Sequence, residues 1–170
     1  NNTKICWILK CDIKKFFASV DQNILIQILH EYICDNDIII LIEKVIKSFK
    51  VLPSKGLPLG NLTSQLFANV YMNVFDQFVK HQLKIKHYIR YADDFVIFSE
   101  DKHWLLNQIY PIKIFLQEEL QLILHPQKIF IKTLTSGMDY LWWVHFSRHR
   151  VLRSSTKRRM LARIKVHPTK

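Results

Sequence analysis

The sequence predicts one α+β domain, in which helices pack on one face of an antiparallel sheet. Segments with strand-like and helix-like hydrophobic periodicity follow one another in the order β-α-α-loop-α-β-β-α-β-β, which is typical of this class. Of the 170 residues, 49% are hydrophobic, which is enough for one core. The chain has no internal repeat and no low-complexity linker that would divide it.

The first half supplies one strand and two helices. Residues 4–12 form a nearly continuous apolar run that predicts a central strand. Residues 22–33 have apolar side chains at helical spacing after Asp21, a suitable N-cap. A second helix is predicted over about 37–49, after an Asp-Asn-Asp break. The stretch "KVLPSKGLPLGN" then holds two of the three glycines and two of the five prolines, which indicates a loop.

The second half opens with a long helix, predicted over 62–83 because this segment has no Gly or Pro. Its predicted apolar face consists of Leu66, Phe67, Val70, Val74, Phe78 and Val79. Strands at 85–91 and 95–99 flank "ADD" and form a hairpin. An amphipathic helix over 102–120, strands at "LILHPQKIFIK" and "MDYLWWVHF", and a basic helix from Thr156 complete the pattern.

Positive charge is concentrated at the C-terminal end. The net charge is +11, and residues 148–170 hold nine Lys or Arg and no acid, whereas the remaining residues are close to balance. A local excess of this kind favours contact with a polyanion; the alternative is a solvated basic tail. No apolar run reaches the ~20 residues that a membrane helix needs, so we expect no membrane contact.

The three cysteines, Cys6, Cys11 and Cys34, lack the spacing of a zinc site. Cys6 and Cys11 are five residues apart on one predicted strand, so their side chains point to opposite faces and cannot bridge. We therefore expect reduced, buried thiols in a cytoplasmic protein.

Two adjacent acids, Asp93 and Asp94, lie at the bend of the predicted hairpin. Because Asp suits turns, a solvated pair is one interpretation. The apolar flanks "IRY" and "FVIF", and the position of Asp12 at the end of a buried strand, favour another. If that strand lies beside the hairpin, three carboxylates converge and need a counter-charge. Two Mg²⁺ ions, for which Mn²⁺ can substitute, would supply it and would support phosphoryl transfer.

Four motifs, "KCDIKKFF", "GLPLGNLTSQLFANVY", "YADD" and "LHPQK", occur in this order. Together they resemble the palm motifs of bacterial retroelement reverse transcriptases of the group II intron, retron and diversity-generating types, with the last type closest. The resemblance covers nearly the whole chain. It implies a polymerase palm with a ferredoxin-like sheet over 1–147, with the fingers missing, and a basic palm-to-thumb segment over 148–170 that begins a helical thumb.

The activity that the resemblance implies is RNA-directed DNA polymerisation, in which the 3′-hydroxyl of a DNA primer on an RNA template attacks a dNTP. Asp12, Asp93 and Asp94 would be the catalytic metal ligands, joined by the backbone carbonyl of Ile13. The amides of residues 13–17 would receive the incoming triphosphate.

Two further roles are carried by single residues. Phe17 would be the aromatic steric gate that excludes a 2′-hydroxyl, whereas Phe16 is predicted to be a core residue because adjacent strand residues face opposite ways. Lys128 would lie near the departing pyrophosphate; the alternative is an ordinary surface lysine.

The loop into the long helix, with Leu59, Gly60 and Gln65, would complete the nucleotide site. Gly60 removes a side chain where a base or sugar approaches. Polar residues in the first turn, including Gln65, favour phosphate at the positive helix end, although simple helix capping is the alternative. In the basic segment, Arg153, Lys157, Arg158 and Arg159 would contact the backbone of the RNA–DNA hybrid.

Three features depart from the family pattern. Leu59 stands where many reverse transcriptases have Gln, which implies lowered fidelity, notably opposite template adenine. Trp142 stands where the primer-grip strand usually has glycine, which puts the primer contact in question. The absent fingers lead us to expect that this chain alone is inactive.

Two other functions are compatible with the same motifs. One is a reverse-transcriptase relative adapted to host defence, which makes DNA without a template. The other is a degenerate palm that binds nucleic acid or a partner. The sequence also leaves an accessory protein open.

Overall fold

A computed structural model describes residues 5–49, 51–58 and 60–166, with side chains to residue 164. The strands are β1 (Trp7–Asp12), β2 (Tyr88–Tyr91), β3 (Asp94–Ser99), β4 (Phe130–Thr133), β5 (Met138–Tyr140), β6 (Trp143–His145) and β7 (Arg150–Leu152). The helices are α1 (Phe16–Ser19), α2 (Gln22–Tyr32), α3 (Asn36–Lys47), α4 (Leu62–Gln77), α5 (Lys102–Glu118) and α6 (Ser154–Val166). A π-helical turn, Phe78–Gln82, extends α4, and a 3₁₀ turn, Leu134–Ser136, precedes β5.

The main sheet has four antiparallel strands in the order β2-β3-β1-β4. With helices between β1 and β2 and between β3 and β4, this is the ferredoxin-like arrangement that we expected. The register pairs Trp7 with Ser99 at one end of the two central strands and Asp12 with Asp94 at the other. The pairing of β1 with β3 therefore brings two of the three predicted carboxylates side by side.

The two faces of this sheet have different cover. Leu9 and Cys11 of β1, with Phe95 and Ile97 of β3, belong to a large core shared with residues of α2, α4 and α5. On the opposite face, Ile8 and Val96 pack against Met138 and Tyr140 of β5. The helices thus lie on one face, as predicted, but a second sheet, β5-β6-β7, covers part of the other.

The prediction that "MDYLWWVHF" forms one strand was wrong. The chain reverses at Leu141 and Trp142, both in the left-handed region with φ of 49° and 68°, and forms the β5–β6 hairpin. Such turns favour Gly, Asn or Asp, so two bulky apolar residues gave no turn signal.

The second long strand prediction, "LILHPQKIFIK", was also too extended. Only Phe130–Thr133 forms a regular strand, and Leu124 makes an isolated bridge to Ile13. Residues 126 and 127 form a turn, in keeping with the missing N–H of Pro126.

The helix predictions succeeded, with shifted ends. Asp21 caps α2 as expected, because its carboxylate accepts hydrogen bonds from the amides of Asn23 and Ile24. On α4, however, Leu66 is 61% exposed and does not belong to the core face. The buried residues of α4 are Ser64, Phe67, Ala68, Tyr71, Met72 and Phe75.

The cysteine prediction was only partly right. Cys6, Cys11 and Cys34 are free thiols, but only Cys11 is buried; Cys6 is half-buried and Cys34 is exposed. Burial raises the pKa of the Cys11 thiol to about 12. Within the part of the chain that the structure describes, no helix has the length and apolar character needed to cross a membrane.

Candidate active site

The two-residue turn that carries Asp93 is fastened to the helix layer by Arg90. Ala92 and Asp93 connect β2 to β3, and Ala92 has a left-handed φ of 52°. The Arg90 guanidinium donates to the Ala92 carbonyl at 2.9 Å and to both carboxylate oxygens of Asp76, on α4, at 2.8 and 2.6 Å. This bidentate pair fixes the turn against α4.

The flanks of the turn are not equally buried. Phe95, Val96 and Ile97 of β3 are fully buried, but Ile89 and Tyr91 of β2 are exposed. The difference arises because β2 lies at one edge of the sheet, whereas β3 is a central strand. The sequence argument that both flanks are too apolar for a surface hairpin therefore holds for one flank only.

The three carboxylates face one cavity. Asp12 ends β1, Asp94 begins β3 opposite it, and Asp93 lies in the adjacent turn. A cavity of about 510 Å³ is lined by all three, together with Phe17, Gln65 and Leu141. The fold thus brings together five residues that the sequence singled out in three separate motifs: Asp12, Phe17, Gln65, Asp93 and Asp94.

Two lysines supply positive charge to these carboxylates. The Lys128 ammonium lies 3.0 and 3.1 Å from the two carboxylate oxygens of Asp12. The Lys10 ammonium lies 2.9 Å from Asp94 Oδ2. Our sequence argument assigned the counter-charge to a metal ion and did not foresee that lysines of the chain would provide it.

Burial raises the pKa of the Asp93 and Asp94 carboxyls, and the negative charge of Asp12 raises both further. The ammonium of Lys10 opposes this rise at Asp94. The Asp93–Asp94 pair therefore combines burial with a neighbouring like charge, a combination that marks candidate functional sites.

The residues fit a hard divalent cation in part. The Oδ1 oxygen of Asp94 is buried and has no hydrogen-bond partner among the described residues. Carboxylate oxygens are also the ligands that Mg²⁺ prefers. Within the described ranges, however, no group of three or more His, Cys, Asp or Glu side chains is arranged as a metal site. In this structure the carboxylates of Asp12 and Asp94 contact Lys128 and Lys10, respectively.

The predicted steric gate lies on a short helix and not on a strand. Phe16 is buried and Phe17 is half-buried in α1, with their rings edge to face at 5.3 Å. The argument from strand alternation was therefore wrong, although Phe16 is a core residue and Phe17 faces the cavity. Of the amides predicted to receive a triphosphate, that of Lys14 already donates to the Ile123 carbonyl at 2.9 Å.

Ile13 and the loop before α4 occupy different positions around the carboxylates. The Ile13 side chain is buried, beside the bridge to Leu124. Gly60 has a left-handed φ of 91°, and a side chain there would meet no atom within 4 Å. Gln65 is exposed and lines the cavity, whereas Leu59 lies outside the described residues.

The predicted nucleic-acid contacts divide into two groups. Arg153 is engaged within the chain: its guanidinium binds the Asp139 carboxylate, and its amide donates to the Trp142 carbonyl. Lys157, Arg158 and Arg159 are exposed on α6. These three side chains are therefore more accessible to a phosphate backbone than Arg153.

Sequence reasoning missed Lys10 and Arg90. Lys10 is the only charged residue inside an otherwise apolar run, two positions before Asp12 and so on the same face of β1. That placement was a usable signal. Arg90 gave a weaker one, since its partner Asp76 is on a helix fourteen residues earlier.

The sequence is similar to a known protein family and to individual known proteins. A family model described as Reverse transcriptase (RNA-dependent DNA polymerase) matches residues 1–152. The COX1/OXI3 intron 1 protein of Saccharomyces cerevisiae is 27% identical over 86 residues, which are 46% of this chain and 10% of that protein. The chain thus spans about a tenth of this curated relative.

Solved telomerase structures have a similar fold. The apo telomerase of Candida tropicalis, truncated from its C-terminal domain, has a TM-score of 0.67 at 13% identity over 88% of this chain and 36% of the telomerase. Telomerase of the same organism in complex with the TWJ fragment of telomeric RNA has a TM-score of 0.67 at 14% identity over 89% and 30% of the two chains. This likeness confirms the polymerase palm fold.

Proposed function

We propose that this chain, which belongs to the reverse transcriptase (RNA-dependent DNA polymerase) family, carries the catalytic carboxylates of an RNA-directed DNA polymerase. One observation carries the proposal. Asp12 and Asp94 are register partners on the two central strands, and Asp93 lies in the adjoining turn, so that all three face one cavity. In the same proposal, residues 1–147 form the palm and residues 148–170 the basic passage to the thumb.

The proposed cofactor is Mg²⁺, as two ions, with Mn²⁺ as a substitute. When bound, such ions supply Lewis-acid activation of a hydroxyl nucleophile and neutralise charge on the leaving phosphates. Asp94 offers a buried oxygen that has no hydrogen-bond partner among the described residues. Because both oxygens of Asp12 contact Lys128, Asp12 can act as a ligand only if that ammonium withdraws.

The incoming dNTP is proposed to occupy the cavity beside Phe17 and Gln65. Both residues line it together with the carboxylates, which supports a role for the Phe17 ring beside the sugar of a bound nucleotide. Gly60 offers open space at the start of α4. The backbone of Ile13 and the side chain of Leu59 complete the proposed contacts, and Lys128 is the proposed group near the departing pyrophosphate.

The proposed nucleic-acid partners are an RNA template and a DNA primer. The exposed cations Lys157, Arg158 and Arg159 on α6 support contact with the phosphate backbone of the hybrid. Arg153 is proposed to support this surface indirectly, since it braces the β5–β6 hairpin through Asp139. Binding through phosphates weakens as salt concentration rises.

The finer proposal is an error-prone enzyme of a diversity-generating retroelement, supported by "LPLGNLTSQ" and by Leu59 in place of Gln. A second candidate is a palm that binds nucleic acid without polymerising. It is favoured by one observation, that lysines already balance Asp12 and Asp94.

Primer extension on an RNA template tests the proposal. The protein at its full natural length is supplied with dNTPs and Mg²⁺, beside an Asp93→Asn/Asp94→Asn variant. We expect extension that the variant loses, with errors concentrated at template adenines. Tight hybrid binding without extension in Mg²⁺ or Mn²⁺ would favour the binding palm.

A further inference from the structure

Lys10 is a nearly buried cation that enters the carboxylate site from the β5 side of the sheet. Side chains alternate along β1, so Lys10 lies on the same face as Ile8, which packs against Met138 and Tyr140. The Lys10 side chain is 18% exposed. A lysine held this far from water needs specific partners.

Three groups surround the Lys10 ammonium. It donates to the Asp139 carbonyl at 2.7 Å, lies 2.9 Å from Asp94 Oδ2, and is 5.5 Å from the centre of the Tyr140 ring. Asp139 and Tyr140 belong to β5 and Asp94 to β3. The ammonium therefore ties the second sheet to one carboxylate of the proposed catalytic centre.

The contact with Lys10 gives the two carboxylate oxygens of Asp94 different surroundings. Oδ2 is taken by Lys10, whereas Oδ1 is buried and has no hydrogen-bond partner in the described structure. A carboxylate fixed through one oxygen cannot turn freely, and it presents the other oxygen alone. An unrestrained carboxylate could instead bind a cation through both oxygens.

We propose that Lys10 is a positioning residue that holds Asp94 by Oδ2, so that Asp94 offers only Oδ1 to a divalent cation. This inference rests on the proposed function, because it assigns Asp94 as a metal ligand. Lys10 also makes the placement of Asp94 depend on the β5–β6 hairpin, through the Asp139 carbonyl.

The proposal predicts opposite changes in metal affinity and in turnover. Lys10→Gln removes the positive charge that lies 2.9 Å from Asp94 Oδ2 and frees the carboxylate to bind a cation through both oxygens. We expect Mn²⁺ to bind roughly 3- to 10-fold more tightly, since a like charge no longer opposes it. Primer extension should fall by at least about tenfold, because the ion is then held in the wrong geometry.

The experiment measures Mn²⁺ binding by electron paramagnetic resonance, and extension in parallel, on the protein at its full natural length. Lys10→Met, which keeps the length and packing of the side chain, must also bind Mn²⁺ more tightly and extend the primer more slowly. Lys10→Arg should return Mn²⁺ affinity to within about twofold of the parent. The matched control is Lys80→Gln. Lys80 also contacts a carbonyl, that of Lys86, and a tyrosine ring, that of Tyr88, and its replacement should change neither quantity.

The inference is overturned if the two Lys10 variants bind Mn²⁺ as the parent does, or if affinity and extension fall together with the thermal midpoint, as for a lost structural contact. The Asp94→Asn variant distinguishes a failure of the proposed Lys10 role from a failure of the proposed metal site. A parent that binds Mn²⁺, and loses it in Asp94→Asn, while Lys10 variants behave as the parent, refutes the role of Lys10 alone. A parent that binds no Mn²⁺ refutes the metal site, and this role with it.

Discussion

Replacement of Arg90 by Met should destabilise the fold through the turn that carries Asp93. The Arg90 side chain is 9% exposed and binds Asp76, which is 27% exposed, through two hydrogen bonds. Arg90→Met leaves the Asp76 carboxylate without this partner and the Ala92 carbonyl without its donor. Breaking a fully buried pair costs about 3–5 kcal/mol. Because water reaches a quarter of Asp76, we expect about 3 kcal/mol here.

Urea unfolding measures this loss directly, and the thermal midpoint should fall by about 6–12 °C for a domain of this size. Asp76→Asn and the double variant complete a thermodynamic cycle, which should give a coupling energy of about 1.5–3 kcal/mol. The matched control is Arg158→Met on the exposed face of α6, with an expected change within about 0.5 kcal/mol. A loss below about 1 kcal/mol for Arg90→Met, or a coupling energy near zero, would refute the assignment of Arg90 as the anchor of the turn.

Three further predictions concern the rest of the fold. Tyr71→Phe should lower the free energy of unfolding by about 1–2 kcal/mol in urea, because the buried Tyr71 hydroxyl donates to the Leu120 carbonyl at 2.7 Å; no change would mean that water replaces it. Asp21→Ala should cost about 1 kcal/mol in the same assay, and Asp21→Asn much less, because only the alanine removes the acceptor that caps α2. With a thiol-specific reagent, exposed Cys34 should react fastest, while Cys11, whose pKa burial raises to about 12, should react only on unfolding; Cys34→Ser should lose the fast phase, and rapid labelling of Cys11 would contradict its burial.

Local sequence patterns predicted most of the helices and strands. The apolar run ending at Asp12 predicted β1, and Asp21 predicted the start of α2. The β5–β6 hairpin was missed because its turn uses Leu141 and Trp142, whose left-handed φ values are unusual for large side chains. Large apolar residues have no preference for such a turn, so propensity alone could not reveal it.

The convergence of the carboxylates could be predicted from the sequence, whereas their ion pairs with Lys10 and Lys128 were not foreseen. Asp12, Asp93 and Asp94 stand in motifs, but the contact of Lys128 with Asp12 spans 116 positions of sequence. The burial of Leu66 was also misjudged. Hydrophobic periodicity identifies the apolar face of a helix, but it does not show which part of that face packs against other elements.

The two lysine contacts also bear on how the chain reaches its folded form. Many small metalloproteins fold only with their ion bound, because metal binding supplies much of the free energy of folding. Here Lys10 and Lys128 give Asp94 and Asp12 a partner from within the polypeptide, and hydrophobic residues such as Leu9 and Phe95 form the core beneath them. Assembly of the scaffold is thereby uncoupled from cation supply. A chelator should leave the thermal midpoint unchanged, and the nascent protein can complete its architecture without a bound ion.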